Sequence, residues 1–96
     1  MNFDDSAIFM RTMLDHSSQE QQLYIYSLYK QTLEGDAPPS CPSGGFAAKA
    51  KWKAWDKQRG TPPEEARQLY VKIARRLQEL HQKSTLADID TMMINP

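Results

Sequence analysis

The sequence predicts an all-α domain, a bundle of four helices. Apolar residues recur at three- and four-residue spacing in four separate stretches, and no run alternates apolar and polar residues as a strand would. Proline and glycine fall in the connecting segments and at the helix ends. At 96 residues the chain has room for one domain with a modest core, and a two-lobed catalytic cleft is not expected.

Phe3, Ala7, Met10 and Leu14 share a face of a first helix over residues 3–15. Asp4 and Asp5 occupy its first turn, where carboxylates complement the helix dipole. Ser18 followed by Gln21 reads as a capping box ahead of a second helix. Leu23, Ile25, Tyr26, Tyr29 and Leu33 gather on one arc of it, with Lys30 at the edge, and it stops near Gly35-Asp36. Residues 37–45, Ala-Pro-Pro-Ser-Cys-Pro-Ser-Gly-Gly, exclude regular structure and form a connector whose two ends need not be adjacent. A third helix from about Phe46 places Ala48, Trp52 and Trp55 on one face with Lys51 flanking, and Gly60 ends it. Thr61 as N-cap, Pro62 at the first helical position and Glu64 three residues after the cap open a fourth helix. Its apolar stripe is Ala66, Leu69, Tyr70, Ile73, Leu77 and Leu80. Periodicity fades after Lys83, so residues 1–83 read as the domain and residues 84–96 as a tail or one added turn.

Lysine plus arginine and aspartate plus glutamate balance at twelve each, which removes the field expected of a general nucleic-acid binder. Any positive site must be local. Cys41 is the only cysteine, which excludes a disulfide framework and agrees with a reducing compartment. The acidic N-terminus lacks a signal-peptide run, and no apolar stretch has membrane-spanning length. The chain therefore reads as soluble, cytoplasmic and self-contained from Met1. The only candidates for nucleophile and base are Cys41, His16 and His81, and none belongs to a catalytic motif. One cysteine and two distant histidines have no zinc spacing, and there is no phosphate-cradling glycine loop. No enzyme activity, metal or cofactor is expected.

The chemistry concentrates at two lysine–aromatic pairs. Tyr26 and Lys30 lie four residues apart, as do Lys51 and Trp55, so each ring and ammonium emerge side by side on a helix. A ring plus a cation suits a base plus a phosphate. Periodicity alone is satisfied equally well by packing, since tyrosines at a core edge wet their hydroxyls and lysine stems cover apolar surface.

The wider pattern separates these readings. Tyr29-Lys30-Gln31, Gly35-Asp36, Lys49-Ala50-Lys51-Trp52, Ala54-Trp55, Gly60-Thr61, Ala66 and Tyr70, in this order and spacing, resemble the acyl-coenzyme A binding protein family. The resemblance implies a four-helix bundle of up-down-down-up topology that binds long-chain acyl-CoA thioesters as a non-enzymatic intracellular carrier. The connector over residues 37–45 suits that topology, because two parallel helices need a connection as long as the bundle. By position, the resemblance makes Tyr26, Lys30, Lys51 and Tyr70 ligand-binding, with Tyr29 in the same segment. It implies adenine against Tyr26 and the ribose 3′-phosphate on Lys30, Lys51 and the Tyr70 hydroxyl. Arg11 stands where the family often has lysine, and could reach the nucleotide or the carbonyl end of the acyl chain. The implied partners are the acyl-CoA ligand and, transiently, a membrane or acyl-using enzyme; no nucleic acid is implied, and the protein is expected as a monomer. Thr32-Leu33, Ala48, Gln22 and a connector lacking Arg-Pro-Gly depart from the family pattern, which leaves chain-length preference open. Trp55 is expected to hold the third helix in the core, with Trp52 open between packing and ligand. The alternative use of such a fold is a protein-interaction module that presents the apolar groove to a partner helix, a reading motivated by Ile89, Met92, Met93 and Ile94 of the tail.

Overall fold

The side chain of Asn2 accepts from the Asp5 amide at 2.8 Å and caps helix α1, Phe3–Met13. The computed structural model describes the backbone of residues 1–94 and the side chains of residues 1–81. After α1 comes a 3-10 turn, Leu14–His16, then α2, Gln19–Glu34, α3, Phe46–Asp56, and α4, Pro63–Ile94. Among the described residues there is no strand. The expected capping box is present in both halves: the Gln21 amide donates to Ser18 Oγ at 3.1 Å, and the Ser18 amide donates to Gln21 Oε1 at 3.0 Å.

Side-chain register gives the topology. Phe3 meets Tyr29 while Met10 and Ile25 share one cleft, so α1 and α2 run in opposite directions. Lys51 lies over Tyr26 and Trp55 beside Lys30, so α3 runs parallel to α2. Gln31 meets Thr61 and Tyr29 meets Tyr70, which sets α4 antiparallel to α2. The bundle is therefore up-down-down-up, and residues 37–45 supply the long return between the two parallel helices. Met10, Ile25, Leu28, Ala66, Tyr70 and Ala74 form the core. Ala66 and Ala74 are fully buried and contribute only methyl groups to the seam.

Several residues of the family-like string close one end of the bundle. Asp36 accepts from the Gly60 amide at 2.9 Å and from Gln31 Nε2 at 2.8 Å, and the same Gln31 nitrogen donates to the Thr61 carbonyl at 2.8 Å. The Gly60 hydrogen bond, with Gln31 and Arg59 adding to it, holds the Asp36 carboxyl below its ordinary range. Gly35 and Gly60 adopt φ of 77° and 90°, where a side chain would be strained. Trp55 Nε1 donates to the Gly35 carbonyl at 2.8 Å, Trp52 Nε1 to the Pro38 carbonyl at 3.0 Å, and Arg59 to the Ala37 carbonyl at 2.8 Å. Trp55 thus ties α3 to the end of α2, and Trp52 ties it to the connector.

Five details differ from the sequence reading. Helix α1 ends at Met13 and tightens into the 3-10 turn, since Leu14 is already an exposed residue at the bundle's end. Helix α3 ends at Asp56, before Gly60, because residues 57–60 form turns in which Gly60 donates to Asp36 and Arg59 to Asp56 and Ala37. Pro63, not Pro62, begins α4: the Pro62 carbonyl accepts the first helical bond from Ala66, and the Thr61 hydroxyl donates to Gln58 instead of capping. Helix α4 continues through residues 84–94, where no proline or glycine interrupts it. The side chains of Ile89, Met92, Met93 and Ile94, on which the interaction-module alternative rests, lie outside the described residues. Leu33, placed on the apolar arc of α2, is 55% exposed, while Leu28 is fully buried. Helix α2 packs on α3 as well as α4, so its buried surface is wider than one stripe.

Candidate functional site

Helices α1, α2 and α4 enclose a cleft of about 200 Å³. Its apolar wall is Ala7, Met10, Leu14 and Ile25; its polar wall is Arg11, Tyr26, Tyr29 and Tyr70. Helical spacing explains the grouping. Ala7, Met10, Arg11 and Leu14 fall on one face of α1, and Gln22, Ile25, Tyr26 and Tyr29 on the facing side of α2. A wider groove of about 1040 Å³ runs along the N-terminus of α1 and the outer face of α4, but it is shallow and lacks this meeting of aromatic rings with converging polar groups.

Tyr70 is 3% exposed and packs at 5.1 Å from Phe3 and 6.0 Å from Tyr29, centroid to centroid. Burial pushes its phenol up to about 12, Tyr29 adds to the rise and the nearby Arg11 opposes it. The group is therefore a neutral hydrogen-bond donor at neutral pH. Gln31 Oε1 is the one buried polar side-chain atom among the described residues that lacks a partner, so the Tyr70 hydroxyl is not a buried orphan, and Tyr70 lines the cleft. The Tyr70 hydroxyl thus has a donor to offer at the cleft.

Lys51 is exposed on α3 with Nζ 5.5 Å from the centroid of the Tyr26 ring, so the ring and ammonium from two different helices form one face. Lys30 is placed differently. Its ammonium is paired with Glu34 one turn on and stands 5.1 Å from the Trp55 ring centroid. The hydrogen bond to Glu34 raises its pKa, with smaller contributions from Tyr26 and Tyr29, whose rings are close by. The structure thus brings Tyr26, Tyr29, Tyr70 and Arg11 into one cleft, sets Lys51 at its Tyr26 rim, and turns Lys30 toward Glu34. Sequence reasoning passed over Glu34, although its i,i+4 spacing from Lys30 was a readable signal. Gln22, unusual for its polarity at this position, spends its amide on the carbonyls of Leu14 at 2.6 Å and Ser17 at 3.1 Å. It braces the turn between α1 and α2 and leaves its stem facing the cleft.

Cys41 is exposed in the connector, and among the described residues no three of His, Cys, Asp and Glu converge where a metal ion could sit. No described helix is long and apolar enough to cross a membrane.

Fold and cleft together define a small all-α ligand-binding domain. The family model for "Acyl CoA binding protein" matches residues 1–74, and the chain belongs to that family. It is 35% identical over 79 residues to acyl-CoA-binding protein homolog 1 of Caenorhabditis elegans, covering 80% of this chain and 91% of that protein. Acyl-CoA-binding domain-containing protein 3 of Oryza sativa subsp. japonica is 39% identical over 80 residues; 81% of this chain aligns with 51% of the rice protein. Acyl-CoA-binding domain-containing protein 6 of Homo sapiens is 33% identical over 76 residues, which are 78% of this chain and 27% of the human protein.

Proposed function

We propose that the protein binds long-chain acyl-CoA thioesters and acts as a non-enzymatic, monomeric carrier that shields the acyl chain from water and releases it to membranes or acyl-using enzymes. The observation that carries the reading is the cleft itself. A neutral phenol, an arginine and a ring faced by a lysine meet beside an apolar wall. In this reading the adenine stacks on Tyr26 and the ribose 3′-phosphate takes hydrogen bonds from Lys51, Tyr70 and Lys30. Lys30 reaches it by exchanging the Glu34 carboxylate for the phosphate. Arg11 pairs with the nucleotide or with the thioester carbonyl.

Each charge-assisted hydrogen bond to the phosphate contributes about 1.5–3 kcal/mol. Each acyl methylene removed from water adds about 0.8 kcal/mol, so several buried methylenes rival the phosphate contacts. The ester should bind far more tightly than either half. Nothing in this function calls for a catalytic group or cofactor, and the family membership supports a binding role.

Calorimetric titration with palmitoyl-CoA, free coenzyme A and palmitate tests the proposal. The expected order is palmitoyl-CoA far above coenzyme A, with palmitate weakest. Equal, weak heats for all three would sink it.

A further inference from the structure

Helix α3 packs on α2, with Trp55 buried and Lys51 over the Tyr26 ring, and its Ala50, Lys53, Ala54 and Lys57 border a groove beside Glu20, Leu23 and Tyr24 of α2. Phe46, Lys49, Lys53 and Lys57 follow at i, i+3, i+7 and i+11, which places them in one line along that helix. Trp55, nine residues after Phe46, lies half a turn around from that line. All four are exposed, and Phe46 is 95% so. Among the described residues none of the three lysines has an ion-pair partner. Asp56, the only carboxylate on α3, is held by Arg59 Nε at 2.9 Å. In a chain with no net charge, this is a concentrated cationic line with a bare aromatic ring at its end.

We propose that the α3 stripe is a docking surface for anionic phospholipid bilayers. Phe46 enters the interface between head groups and acyl chains, while Lys49, Lys53 and Lys57 lie against the anionic head groups. The line is roughly 16 Å long at the helical rise. Its composition favours a lipid surface over a protein. A row of flexible, hydrated ammonium groups suits a fluid plane of negative charge, whereas the centres of protein interfaces are depleted in lysine. Glu20 of α2 borders the groove beside Lys53 and Lys57 and is the opposing charge at this edge. None of the four stripe residues lines the cleft between α1, α2 and α4.

The experiment is co-sedimentation of the full chain with phosphatidylcholine vesicles, with and without one third phosphatidylserine. The wild type is expected to bind only the anionic vesicles, and less as salt rises. Each lysine contributes about fivefold in partitioning, so the K49Q/K53Q/K57Q variant should lose roughly a hundredfold. Phe46→Ala should weaken binding at every salt concentration. Palmitoyl-CoA titration and circular dichroism of the variants should match the wild type, which separates this surface from the cleft and from misfolding. Equal binding to neutral vesicles, no vesicle binding by the wild type, or full binding by the triple variant overturns the proposal. If vesicles fail while polyglutamate binds in a lysine-dependent way, the partner is an acidic protein and the lipid assignment falls.

Discussion

The ring of Tyr70 packs against those of Phe3 and Tyr29 and lines the cleft with Arg11, and its hydroxyl is not one of the buried polar atoms lacking a partner, so packing accounts for the ring and a ligand can take the oxygen's donor. Tyr70→Phe should leave the melting temperature unchanged or slightly higher. It should weaken binding of a 3′-phosphorylated acyl-CoA about tenfold and that of the dephospho ester little, as paired titrations would read out. Glu34 predicts the opposite sign. It holds the Lys30 ammonium and adds a negative charge near the end of α2, so Glu34→Gln frees the lysine and removes a charge that repels phosphate. An exposed i,i+4 pair of this kind is worth about 0.2–1 kcal/mol, so the gain in affinity for palmitoyl-CoA should be about 1.4- to fivefold. The dephospho ester should gain much less. Unchanged ratios would place Lys30 outside the phosphate site.

At the scale of elements, the helices were legible because each repeats apolar residues at its own period and each start carries a readable cap or breaker. Ser18 and Gln21 specified the start of α2 to the residue. Side-chain competition was less legible. Thr61 has the chemistry of an N-cap, yet its hydroxyl donates to Gln58 and α4 begins one residue later than the Thr-Pro-Pro pattern suggests. The junction of α2, α3 and α4 depends on Asp36, which receives hydrogen bonds from Gly60 and Gln31. Its carboxyl titrates below its ordinary value of 3.8, so the charged form is favoured by folding. The stability it contributes is present above that value and is lost as pH falls through the lower folded value. Asp36→Asn should therefore lower the melting temperature by several degrees at neutral pH. The gap from wild type should narrow in acid melts, once both chains carry a neutral group there.

For the whole molecule, the order of helices and the length of residues 37–45 decide how the site is assembled. Because α3 returns parallel to α2, Lys51 comes beside Tyr26, and because α4 runs back along α2, Tyr70 comes beside Tyr29. The family match ends at residue 74, and the cleft uses no residue beyond Tyr70. A chain ending at Lys83 should thus keep its palmitoyl-CoA affinity within about twofold and melt within a few degrees of the full chain. Loss of binding on that truncation would give residues 84–96 a part in the site. The sequence by itself determined the four helices, the capping box of α2 and the residue types offered to the candidate site, since these follow from local spacing and from a string of motifs along the chain. Only the tertiary structure decided that Tyr26, Tyr29, Tyr70 and Arg11 share one cleft, that Lys51 of α3 comes to the Tyr26 ring, and that the two tryptophans donate to the carbonyls of Gly35 and Pro38. Those outcomes depend on which helix faces meet across long sequence separations and on which donors compete for one acceptor. Neither is encoded in the periodicity of any single segment.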